Sequence, residues 1–157
     1  MSEDELARLG AALAEAEQSG ALPTAIAATR LLIFTGARKS EILELEWRAV
    51  DFERSLIDLS DSKTGAKPIY LNAPALELLA CLPRIPGNSY VLPGGREGAH
   101  LVNLKDTWNR VRKAAGLEDV RIHDLRHSYA SVGVSAGFSL PLIGALLGHT
   151  QVATTAR

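Results

Sequence analysis

The sequence predicts an α+β fold that is mainly α-helical, a helical core carrying a small three-stranded antiparallel β-sheet. Three observations lead there. Apolar residues recur at helical spacing through most of the chain, as in Leu6, Leu9 and Leu13 or Leu104, Trp108 and Val111. Between residues 46 and 71 the pattern changes to short runs separated by turn residues, as strands require. The length, 157 residues, suits one core that buries roughly 70% of the surface an unfolded chain would expose. A single domain over residues 1–157 is therefore expected.

Each element has its own justification. Ser2 followed by Glu5 forms a capping box and predicts a first helix over residues 3–18, ended by Ser19-Gly20. Pro23 to Phe34 is nearly all small or apolar and should be the central buried helix, broken at Thr35-Gly36-Ala37. A short helix from Lys39 to Leu45 turns Ile42, Leu43 and Leu45 inward. Val50–Phe52, Ser55–Leu59 and Lys67–Leu71 read as strands, with turns at Glu53-Arg54 and Lys63-Thr64-Gly65-Ala66. A helix over Ala73–Cys81 precedes residues 83–100, whose three prolines and four glycines predict a long irregular segment, of a kind that tends to be mobile or functional. Helices follow over Leu104–Ala115, with Gly116 as its terminator, His123–Ser135 and Leu140–Leu147.

Composition narrows the function. The longest apolar runs fall well short of the ~20 residues a membrane span needs, and Met1-Ser2-Glu3-Asp4-Glu5 is acidic where a secretory leader is basic, so a cytoplasmic protein without a membrane partner is expected. Cys81 is the one cysteine, which excludes an internal disulfide and a cysteine-based zinc site; its apolar surroundings read as buried packing. A net charge of −1 looks unsuited to nucleic acid. The first 20 residues, however, hold five acids against one base, and the other 137 carry 16 bases against 13 acids. A DNA-facing surface would have to be a local basic patch.

The most unusual stretch is Arg121-Ile122-His123-Asp124-Leu125-Arg126-His127-Ser128-Tyr129-Ala130. At 3.6 residues per turn, positions 123, 126 and 127 project from one side, opposite Leu125, Tyr129 and Val132. Other polar features have ordinary readings when taken singly: Arg38 with Glu41 as a surface ion pair, Lys63 as a solvated hairpin tip, His149 as a helix-end histidine. Their order is more specific. Thr35-Gly36-Ala37-Arg38-Lys39-Ser40-Glu41-Ile42, Ser62-Lys63-Thr64-Gly65-Ala66-Lys67, His123-Asp124-Leu125-Arg126-His127 and Leu146-Leu147-Gly148-His149-Thr150 resemble, in sequence and approximate spacing, the tyrosine recombinases or phage-type integrases. The resemblance covers about residues 2–157.

That resemblance implies the tyrosine recombinase catalytic-domain fold, metal-independent and cofactor-free breaking and rejoining of double-stranded DNA, and a site with defined parts. Arg38 and Arg126 match the two phosphate-binding arginines, Lys63 the general acid for the departing 5′ oxygen, and His123 and His149 the remaining phosphate contacts. His123 is a candidate to take the nucleophile's proton, and Glu41 matches an acid supporting the first arginine. Asp124 and His127 are assigned to capping and local support. The chemistry agrees, since two planar, permanently charged guanidinium forks suit the growing negative charge on two phosphate oxygens.

The family's nucleophile, a tyrosine held transiently as a 3′-phosphotyrosine, is absent. It is expected just after Thr154-Thr155-Ala156-Arg157, and Tyr70, Tyr90 and Tyr129 are poor replacements. The resemblance also implies an N-terminal DNA-gripping domain, expected to be missing here. The expectation is thus a catalytic domain that keeps its phosphate pocket but cannot cleave DNA, monomeric by itself and drawn from a protein that is tetrameric on DNA. Two other readings compete. His123 and His127 have the spacing of a zinc-peptidase helix, although Arg126 would place a fixed positive charge beside the metal. Alternatively, the fold could serve DNA binding without strand transfer.

Overall fold

The computed structural model describes residues 1–60 and 67–135, the last six of these through their backbone only. The expected Lys63 turn, with Lys63 itself, and the Leu140–Leu147 helix with His149 lie outside the described residues. Within them the order is α1 (Glu3–Gln18), α2 (Pro23–Thr35), α3 (Lys39–Leu43), a 3-10 turn (Trp47–Ala49), β1 (Val50–Asp51), β2 (Leu56–Ile57), β3 (Ile69–Tyr70), α4 (Ala73–Cys81), α5 (Lys105–Ala114) and α6 (Ile122–Ser135). This is the expected mainly helical α+β architecture.

Local chemistry fixes the helix ends. Ser2 accepts a hydrogen bond from the Glu5 amide while Glu5 accepts from Ser2, closing the capping box of α1. Pro23 opens α2, and Gly36, left-handed at φ 64°, ends it. Asn72 caps α4 through the Ala75 amide. Gly116, at φ 69°, follows α5, whose last turn is held by Arg8 donating to the Ala115 carbonyl at 3.0 Å.

Helix α2 runs through the middle of the core. Ala25, Ile26, Ala28 and Leu31 are fully buried, and α1, α3, α4, α5 and α6 all pack against it. Its small residues let these neighbours approach closely, while Ile26 and Leu31 each contribute on the order of 1.5–3 kcal/mol of burial. The sheet is antiparallel in the order β1-β2-β3, with Val50 opposite Ile57 and Ile57 opposite Ile69. The strands are two residues each, shorter than the expected runs, with Leu56 and Ile57 of β2 paired on both sides.

One expectation needs correction. Cys81 is exposed rather than buried. Helix α4 buries Ala75 and Leu79, and a residue two beyond Leu79 is turned about 200° away from that stripe. The segment 83–100 is irregular, as expected, and is tied to the core. Val91 and Leu92 are buried in the core, the Val91 amide donates to the Leu45 carbonyl at 2.8 Å, and Trp47 donates to Ser89 at 3.0 Å. Tyr90 then meets the His100 ring edge-on at 5.1 Å, and Arg84 lies 4.4 Å above Trp47.

Candidate functional site

The candidate site is assembled where the C-terminal end of α2 meets the first turns of α6. At the α2 end the Thr35 hydroxyl donates to the Leu31 carbonyl at 2.6 Å and accepts from the Ala37 amide at 3.2 Å, so a buried side chain shapes the turn from within. Gly36 takes the left-handed conformation there, which leaves its carbonyl unable to continue the helical ladder. That carbonyl accepts a 2.8 Å hydrogen bond from Nη1 of Arg126. A guanidinium at a helix C-terminus also meets the negative end of the helix dipole.

Arg126 is buried, with 4% of its surface exposed, whereas His123 and His127 beside it are exposed. The expected polar face is therefore divided. Leu125 and Ser128 are buried as well, so Arg126 stands at the edge of the arc that α6 presses against α2. Burial, and then the positive charge of Arg38, pull the Arg126 guanidinium down to about 10, partly offset by Glu41. Arg126 remains a cation at neutral pH. Arg38 stands at the entrance to α3, with its amide donating to Glu41 Oε2 at 2.7 Å and its side chain 3.5 Å from Oε1. Glu41 thus grips Arg38 mainly through its backbone, leaving the guanidinium, 43% exposed, facing outward.

His123 lies at the head of α6, its ring edge-on to His127 at 5.1 Å. Partial burial, followed by the fields of His127 and Arg126, holds its imidazole below its ordinary value. Asp124 closes the helix start. It accepts from the Arg121 amide at 2.7 Å, and its carboxyl lies below its ordinary value because this bond and the Arg121 charge outweigh an opposing push from burial. The Arg121 residue is itself approached through Val120, whose carbonyl accepts from Arg112 at 3.1 Å. Among the described residues no three His, Cys, Asp or Glu side chains converge as metal ligands.

The structure therefore brings Arg38, Glu41, His123 and Arg126 together from segments some 90 residues apart, while Lys63 and His149 lie outside the described residues. It adds Thr35 and the Gly36 carbonyl, which shape and anchor the site, and Asn72, whose side chain reaches the α2 end (Phe34 carbonyl, 2.9 Å). Asn72 announces itself in sequence only as a helix cap before Ala73-Pro74. Nothing local reveals its contact with residue 34.

Comparison with known proteins bears on what this arrangement serves. The sequence matches the phage integrase family over residues 1–157. The chain belongs to that family. It is 33% identical over 132 residues to tyrosine recombinase XerA of Thermococcus onnurineus, covering 80% of this chain and 46% of that protein. To tyrosine recombinase XerA of Saccharolobus solfataricus it is 31% identical, covering 80% and 42%. With prophage integrase IntF of Escherichia coli the identity is 27%, over 81% of this chain and 28% of the relative. This integrase-family chain thus spans less than half the length of these curated relatives. Among solved structures it superposes on XerA recombinase with a TM-score of 0.80 and 25% identity, covering 99% of this chain and 56% of that one. It also superposes on the XerH site-specific recombinase bound to its difH substrate, with a TM-score of 0.81 and 21% identity, over 99% and 48%. The fold is that of tyrosine recombinase catalytic domains.

Proposed function

We propose that this domain binds double-stranded DNA and holds a scissile phosphodiester for site-specific recombination through a 3′-phosphotyrosine intermediate. The observation that carries the proposal is the buried Arg126, fixed on the Gly36 carbonyl next to Arg38. Holding two like charges together costs free energy that an anion recovers when it sits between them. A phosphodiester supplies the charge and the planar pairs of oxygens that guanidinium forks match.

In this reading Arg38 and Arg126 bind the non-bridging oxygens and stabilise the charge that grows on them as a phenol attacks. His123, kept largely neutral near pH 7, accepts the phenolic proton. The phosphorus forms a bond to the phenol oxygen, the bond to the 5′ oxygen breaks, and Lys63 delivers a proton to that oxygen. Glu41 positions Arg38, and His149 completes the phosphate contacts.

The phenol is none of the three tyrosines in this sequence. Tyr70 is exposed on β3, Tyr90 packs against His100, and Tyr129 is half-buried in α6, where burial pushes its phenol up and so disfavours the attacking phenolate. The bond energy stored in the phosphotyrosine permits rejoining without another energy source. The relatives named recombinases, and the XerH complex with its DNA substrate, support DNA as the partner. Cytoplasmic action and assembly into a tetramer on DNA belong to the same proposal.

Incubation with a nicked suicide duplex, in which cleavage traps the enzyme, tests it. The 157-residue chain should retain the duplex without a covalent adduct. An adduct would overturn the assignment of the nucleophile, and failure to retain DNA at low salt would overturn the function.

A further inference from the structure

We infer that Asn72 is a positioning residue for the phosphate pocket, acting through the end of α2 on Arg126. The inference rests on the phosphate-binding reading above. Helix α2 ends with carbonyls that its own ladder cannot satisfy. Two of these are taken by side chains from distant segments: Asn72 Nδ2 donates to the Phe34 carbonyl at 2.9 Å, and Arg126 Nη1 donates to the Gly36 carbonyl at 2.8 Å. The two acceptors are two residues apart on the same terminal turn. The Asn72 clamp therefore sets where the Arg126 anchor stands.

Asn72 is itself held firmly. Its Oδ1 accepts from the Ala75 amide at 3.1 Å, which leaves the amide nitrogen as the donor to Phe34 and defines the side-chain orientation. The preceding residue, Leu71, is buried and donates its amide to the Ser55 carbonyl at 2.8 Å. Asn72 thus joins three elements at one point: the exit of β3, the start of α4 and the end of α2. The carboxamide thus ties the exit of the sheet to the helix end that carries the Arg126 anchor.

The two functions of this side chain can be separated. Asn72→Asp keeps an oxygen to cap α4 but has no donor for the Phe34 carbonyl, Asn72→Ser keeps a capping oxygen on a hydroxyl one bond shorter than the amide that reaches Phe34, and Asn72→Ala loses both bonds. Affinity for a short DNA duplex at low salt is measured for each variant, alone and combined with Arg126→Ala or, should that chain unfold, Arg126→Lys. Asn72→Ser and Asn72→Asp should weaken binding about three- to tenfold, the equivalent of one lost hydrogen bond. In the Arg126 variants they should weaken it little further, since the pathway they act through is already broken. Unchanged affinity for Asn72→Ser and Asn72→Asp would overturn the inference, and so would an equal loss in both backgrounds, which marks a purely structural role. If Arg126→Ala itself binds DNA like the parent chain, the phosphate reading has failed and the positioning role falls with it, a result distinct from the other two.

Discussion

Arg38 and Arg126 share a charge and a pocket but differ in what holds them. Arg38 is 43% exposed with a 3.5 Å contact to Glu41, an arrangement worth well under ~1 kcal/mol. Arg38→Ala should therefore leave the melting temperature within a few degrees of the parent while weakening DNA binding. Arg126 is buried on the Gly36 carbonyl, and Arg126→Ala should cost roughly 1–3 kcal/mol by stranding that acceptor, in addition to its effect on binding. Thermal denaturation of the two variants side by side checks the contrast. His123 makes a pH prediction of definite sign. Its value in the folded chain is lowered, so the unfolded chain binds the proton more readily. Its contribution to stability is complete above the unfolded value of about 6.5 and is lost as pH falls through that value toward the folded one. Imidazole resonances followed by NMR should place His123 below 6.5. His127→Asn should raise it by removing one positive neighbour, without restoring the ordinary value, because burial is the larger cause.

At the scale of elements, glycines at special positions give the sharpest tests. Gly36 sits at φ 64°, so Gly36→Ala should cost about 1–2 kcal/mol through backbone strain and move the Arg126 anchor with it. At Gly94 a Cβ would collide with the His100 carbonyl, whereas at Gly95 it would meet nothing. Gly94→Ala should lower the melting temperature markedly and Gly95→Ala should not. These cases also show what sequence could and could not convey. Ser2 with Glu5, Pro23, Gly36 and Gly116 act on their own neighbours, so the helix ends they mark are readable in a single strand of text. The burial of Arg126, the reach of Asn72 to residue 34 and the folding of Val91 and Leu92 into the core depend on partners 38 to 90 or more residues away, or on which face α4 and α6 present. Periodicity gave Arg126 the same side as His123 and His127; packing against α2 divided that side between buried and exposed.

Across the whole molecule, acidic α1 is balanced by a chain that is modestly basic elsewhere, so attraction to DNA must come from a local cluster rather than from net charge. Retention of DNA should accordingly be sensitive to salt, because it rests on the few phosphates that such a cluster neutralises. The dependence of duplex affinity on salt concentration, compared between the parent chain and Arg38→Ala, tests the arginine pocket most directly. The parent should lose affinity steeply as salt rises, and Arg38→Ala should bind more weakly with a log–log slope shallower by about 1, as expected for one lost phosphate contact. Equal affinities and equal slopes for the two chains would contradict a phosphate pocket built on Arg38 and Arg126.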